Sequence, residues 1–79
     1  MNQKIYNKVM AGNSDNNIRF TDFRKLITDL GFSFKGQKGS HVSYYHSGIN
    51  ERMTIQEDGS KAKDYQVKQL RYIIKKHSL

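Results

Sequence analysis

Apolar positions along this chain recur with two different periods, and the switches between them mark its elements. From Lys4 to Ala11, Ile5, Tyr6, Val9 and Met10 lie on one helical face, and Gly12 supplies a left-handed end. Asn13-Ser14-Asp15-Asn16-Asn17 is a polar connector, too short to separate two folded units. Phe23, Leu26, Ile27 and Leu30 then recur at i, i+3, i+4 and i+7. They predict a second helix, with Thr21 as N-cap, Asp22 in the first turn and Gly31 as the stop. Beyond Gly31 the period falls to two. Phe32 and Phe34 share one face of a strand, with Ser33 and Lys35 opposite, and Gly36-Gln37-Lys38-Gly39 reads as a turn.

A second strand runs from Ser40 to His46, with Val42, Tyr44 and His46 on one face and His41, Ser43 and Tyr45 on the other. After the turn Ser47-Gly48-Ile49-Asn50, a third strand from Arg52 to Gln56 turns Met53 and Ile55 inward and Arg52, Thr54 and Gln56 outward. Glu57 to Ser60 form a loop and Asp64 is a candidate N-cap. The last helix, Tyr65 to His77, buries Val67, Leu70, Ile73 and Ile74 and sets Lys68, Arg71 and Lys75 on an outward basic stripe. The order α-α-β-β-β-α, with short turns between strands, predicts an α+β fold: a three-stranded antiparallel sheet with the helices on one face. The other face would then present His41, Ser43, Tyr45, Arg52 and Thr54 to a ligand.

Composition narrows the function. The 79 residues leave room for a single domain, and 35% hydrophobic content, with 11% aromatic, suffices for one modest core. Without cysteine there is neither a disulfide framework nor a thiolate metal site, and no apolar run approaches a membrane span. The start leads into no signal-type apolar stretch, and the expected location is the cytoplasm. Fourteen Lys and Arg against seven Asp and Glu give a net charge of +7, which favours polyanionic partners. The positive residues are spread through the folded pattern, so the fold itself must assemble any electrostatic footprint.

Three histidines are the candidates for chemistry. His41 and His46 are five apart in one strand, so they face opposite ways and cannot share a metal ion. There is no HExxH motif, and neither a metal nor a cofactor is expected. His77 is accounted for by the dipole at a helix C-terminus, and His46 by its place at a strand end. His41 follows Lys38-Gly39-Ser40, where glycine lets backbone approach a ligand and the lysine brings charge. An imidazole there can move a proton to or from a ribose 2′-hydroxyl or a leaving oxygen, with Lys35, Lys38, Arg52, Lys61 and Lys63 as cations for the phosphate. The plain alternative is a polar residue on an exposed strand face. Tyr45 is a candidate for base stacking; Tyr44, beside Val42, belongs to the core.

The run Lys38-Gly39-Ser40-His41-Val42 resembles the HicA (YcfA-like) family, small toxins of bacterial and archaeal toxin–antitoxin pairs. The likeness extends over residues 18 to 77. Phe23 to Phe32, with Leu-Gly-Phe at 30–32, is similar to the first family helix and its exit into a strand. Thr54-Ile55-Gln56, Lys61-Ala62-Lys63 and Tyr65-Gln66-Val67 resemble the third strand and the start of the last helix. The resemblance implies a double-stranded-RNA-binding-domain-like fold, an endoribonuclease that cuts mRNA and halts translation, and a HicB-type antitoxin as partner. It carries the catalytic histidine onto His41 and the preceding glycine and serine onto Gly39 and Ser40. Val42 stands where many members have a second histidine, and Asp58-Gly59 where shorter ones have His-Gly, which leaves the proton-transfer partner of His41 open. Residues 1–12 correspond to a helical extension of longer members, with a packing role.

The expected function is therefore a metal-independent mRNA endoribonuclease with His41 as base or acid. Lys38, Gly39, Ser40, Lys35, Arg52, Lys61 and Lys63 would lie at the phosphates, and Lys68, Arg71 and Lys75 along the RNA backbone. Two rivals differ in class. A non-catalytic double-stranded-RNA-binding module would not need His41. A subunit of an antitoxin-dependent DNA-binding complex would contribute only an interaction surface.

Overall fold

A computed structural model describes residues 1–79. The first helix, α1, spans Gln3–Ala11. The Asn2 side chain accepts from the Lys4 and Ile5 N–H groups, and Gly12 closes the helix at φ 77. The second, α2, spans Phe20–Asp29 and starts two residues earlier than the Thr21 cap predicts. Arg19 holds the cap position without a side-chain bond. A tertiary contact replaces the cap, because the Phe20 N–H donates to Ser60 O at 3.0 Å. The Ala62 N–H donates to Ile18 O at 2.9 Å in the same short ladder.

The ladder exists because the expected loop after the third strand turns back as a strand of its own. The sheet has four strands, not three: β1 Ser33–Lys38, β2 His41–His46, β3 Glu51–Asp58 and β4 Lys61–Ala62, in that spatial order and all antiparallel. Only two residues long, β4 pairs with Glu57 and Asp58 on one side and bridges to Arg19 on the other. The third helix, α3, spans Asp64–His77; Asp64 is its first helical residue and Lys63 the cap.

The expected turn at 36–39 is largely strand. Pairing runs Phe34 with Tyr44 and then Gly36 with Ser43, so Lys35 is the extra residue of a bulge. Gly36, at φ 147, accommodates it in a conformation closed to other side chains. The bulge reverses the parity of the remaining strand residues and puts Lys38 on the same face as His41. The turn itself contracts to Gly39-Ser40, with Gly39 at φ 60 and Ser40 at ordinary negative φ, the pattern of a II′ hairpin.

Val42, Tyr44, Met53 and Ile55 of the sheet meet Phe23, Leu26, Ile27, Val67, Leu70 and Ile74 of α2 and α3, and Val9 of α1 joins the same cluster. Phe32 is buried as expected, but Phe34 on the edge strand is 54% exposed and rests only edge-on against the Tyr44 ring. The buried Gln66 completes β3 where β4 is too short to cover it. Its Oε1 accepts from the Gln56 N–H at 3.0 Å and its Nε2 donates to Thr54 O at 3.1 Å, so a side chain takes the place of a neighbouring strand.

Arg71 departs most clearly from the sequence expectation. It does not lie on an outward stripe. Its guanidinium grips Asp15 through two bonds of 2.8 and 3.0 Å and donates to Val9 O, one of the unpaired carbonyls that end α1. The carboxyl of Asp15 is held below the usual aspartate range, chiefly by its hydrogen bond from Arg71. The His77 ring nitrogen lies 2.8 Å from Glu51 Oε2 on β3, a partner beyond the helix dipole, and this bond and the nearby Lys76 lower the Glu51 carboxyl.

Candidate nucleic-acid interface

Register decides which side chains share the sheet face left open by the helices. His41 pairs with Lys38 on one side and Gln56 on the other, making a row across three strands. The next row is Gly36, Ser43 and Thr54, and the one after it Ser33, Tyr45 and Arg52. A low middle row of glycine, serine and threonine therefore runs between two taller ones. The result is a shallow trough with His41 and Lys38 on one wall and Tyr45 and Arg52 on the other. Asp58, two residues beyond Gln56 on β3, is the only carboxylate that register assigns to this face.

His41 opens β2 and is exposed, and the turn before it is fastened. Gln56 Nε2 donates to Ser40 Oγ at 3.1 Å, and the Gln56 backbone is in turn held by Gln66. Gln37 Nε2 donates to Gly39 O from the other strand of the hairpin. The Gly-Ser-His segment is thus tied from both sides while its imidazole stays open to solvent. The alternation of β3 predicts the face on which Gln56 lies but not its bond to Ser40, which depends on a cross-strand register that spacing does not fix.

The expected phosphate cations separate into groups. Lys38 stands beside His41, and Lys35, at the bulge, is exposed on the same edge strand. Arg52 lies over the Tyr45 ring at 5.4 Å. Tyr45 lies four positions along β2 from His41, so that wall is about 13 Å away along the strand. The Tyr45 hydroxyl donates to Asn50 Oδ1 at 2.7 Å, fixing the ring at the turn. Lys61 donates to Asn17 Oδ1 at 2.8 Å at the far edge of the sheet, and Lys63 is half-buried at the cap of α3. Lys68 and Lys75 are exposed on α3, on the opposite side of the two-layer molecule from His41. Arg71 is committed to Asp15.

The other two histidines lie away from this face. His46 packs edge-on against Phe32 at 5.2 Å in space left by Gly31 and Gly48, with its Nδ1 buried and unpartnered. No three His, Asp or Glu side chains converge to form a metal-binding group. The larger cleft is also remote from His41: Lys4, Lys8, Arg19 and Lys61 line it together with Asn17 and Asp22. No sequence pattern singles out Lys4, Lys8 or Arg19, which lie far apart along the chain from Lys61 and meet only through the β4 ladder. No helix is long and apolar enough to cross a membrane.

Residues 20–78 match the family model described as the HicA toxin of bacterial toxin–antitoxin systems. Comparison with curated proteins yields no match, and neither does comparison with solved structures.

Proposed function

This chain belongs to the HicA toxin family and so is the toxin of a toxin–antitoxin system, and from that premise we propose that it is an endoribonuclease that cleaves mRNA at His41. The observation that carries the reading is the setting of His41. An exposed imidazole sits on a turn immobilised by Gln56 and Gln37, beside Lys38, at one wall of an open trough with few acidic groups.

The chemistry that fits this set is attack by a ribose 2′-hydroxyl oxygen on its own 3′-phosphorus. The 2′-proton passes to a base, the bond to the 5′-oxygen breaks, and that oxygen takes a proton from an acid. The products are a 2′,3′-cyclic phosphate and a free 5′-hydroxyl. His41 serves one of the two proton transfers, and Asp58, diagonal to it by register on the same face, is the carboxylate of that face offered for the other. Lys38 offsets charge building on the phosphate, with Lys35 near it. Gly39 lets the backbone come close, and Ser40 is held for a phosphate contact. Arg52 and Tyr45, about 13 Å away by strand rise, would engage a neighbouring nucleotide instead of the reacting one. Lys61 and Lys63 would hold more distant phosphates. Arg71 has no part in this surface.

The family's antitoxin partner has a physical route to inhibition. An acidic surface laid over the trough would cover His41 and be drawn there by complementary charge. The setting proposed for these events is the cytoplasm. An oligoribonucleotide containing the cleavage site, compared with one bearing a single 2′-deoxy sugar at the scissile nucleotide, tests the mechanism. The first should yield a cyclic phosphate and the second should survive. Equal cleavage of both would refute attack by the 2′-hydroxyl.

A further inference from the structure

The most exposed aromatic side chains of the protein lie together on the far face of α3. Tyr65 is 58% exposed and Tyr72 65% exposed. Seven residues apart, they stand two turns from each other on nearly the same line of the helix, about 10 Å apart along its axis. At 100° per residue, Lys68 and Lys75 flank that line on one side and Gln69 and Lys76 on the other. All four flanking side chains are exposed. The buried residues Gln66, Val67, Leu70, Ile73 and Ile74 occupy the opposite half of the helix. The tyrosines therefore contribute nothing to the core, and no carboxylate of α3 follows Asp64.

We propose that this stripe of Tyr65, Tyr72, Lys68 and Lys75 is a second nucleic-acid surface that binds unpaired RNA, separate from the trough around His41; Lys76 beside it is paired with Glu51 at 3.5 Å. Tyrosine rings on a convex helix can stack only on bases that are not already paired, and the flanking lysines reach the phosphates between them. The charge excludes a basic partner. The absence of exposed Leu, Ile, Val or Met from the stripe argues against a helix-in-groove protein contact, which relies on such anchors. The choice of RNA as ligand rests on the function proposed above; the surface itself does not depend on His41. Because the stripe and the trough lie on opposite sides of the molecule, the stripe would retain a strand leading to or from the cleavage site, not position the reacting phosphate.

The test uses the full chain and a short 2′-O-methyl oligouridine, which lacks the 2′-hydroxyl and cannot be cut. Fluorescence anisotropy should show the Tyr65→Ser/Tyr72→Ser double variant binding this probe on the order of ten-fold or more weaker than the parent. Its thermal unfolding should be unchanged. Replacing Lys68 and Lys75 by Gln should reduce the slope of log affinity against log salt by about 1.4. Failure of the nuclease reading is read separately, from cleavage of an unmodified RNA by His41→Ala at the parental rate; the probe here cannot be cut, so that result leaves the stripe untouched. Parental affinity in the double tyrosine variant would overturn the proposal. So would equal weakening toward a 2′-O-methyl duplex, or loss of antitoxin binding with oligonucleotide affinity intact, which would make the stripe a protein-binding surface.

Discussion

Replacing Arg71 by Ala should destabilise the fold far more than removing a surface lysine. The guanidinium makes two bonds to Asp15 and one to Val9 O, and the two side chains are only 17% and 10% exposed. Truncation leaves a mostly buried carboxylate without its partner and a helix-end carbonyl without a donor. Hydrogen bonds to charged groups and the penalty for an unpaired buried charge together put the loss at about 3 kcal/mol. A chain of this size has a total stability of roughly 4–12 kcal/mol, so the loss is a large share of it. Thermal unfolding followed by circular dichroism should show Tm falling by about 15 °C. Arg71→Lys keeps the charge but not the two-point grip, and should lie roughly halfway between. The pH dependence has a definite sign. Asp15 has a lowered folded-state pKa, so its stabilisation is present above the unfolded aspartate value, near 3.8, and lost as pH falls through the folded one. The stability gap between the parent and Asp15→Asn should therefore be constant near neutrality and close in acid. A Tm within about 3 °C of the parent for Arg71→Ala, with weaker RNA binding, would deny the Asp15 pair its structural weight and return Arg71 to an outward basic stripe.

Gln66→Leu conserves bulk but removes the partners of the Gln56 N–H and Thr54 C=O; urea unfolding should show a loss of about 2 kcal/mol, and RNA cleavage should fall because Gln56 carries Ser40. Gly31→Ala should also destabilise by about 2 kcal/mol, since Gly31 sits at φ 104 and a Cβ there would lie 2.6 Å from the His46 ring; unchanged Tm would mean that His46 swings away freely.

Elements with one-sided burial are legible in the sequence, and those built by distant contacts are not. The period of Phe23, Leu26, Ile27 and Leu30 and the alternation of Val42, Tyr44, Met53 and Ile55 arise directly from a helix and a sheet sharing one core. Two residues of β4 carry no period, and the α2 cap is supplied by Ser60, 40 residues further along the chain. The bulge at Lys35 adds one residue without a hydrophobic mark, so the Gly-rich stretch reads as a longer turn than it is. Arg71 falls on an i, i+3, i+7 pattern with Lys68 and Lys75, but its partner Asp15 lies 56 residues away in a connector. At the site, strand parity alone separates His41 from His46 and puts it with Ser43 and Tyr45. Its neighbour Lys38 and the Gln56 tether require the bulge and the register. The two tyrosines of α3 are large and partly apolar, and their exposure in the structure is what distinguishes them from residues at the edge of the core.

The role proposed for His41 is to move a proton in RNA cleavage. The direct measurement is single-turnover cleavage of an RNA substrate by purified parent and His41→Ala chains, with binding to the uncleavable 2′-O-methyl form measured in parallel. Loss of general acid–base catalysis predicts a rate lower by about 100-fold or more, with binding and Tm retained. Cleavage by His41→Ala at the parental rate would remove His41 from the chemistry.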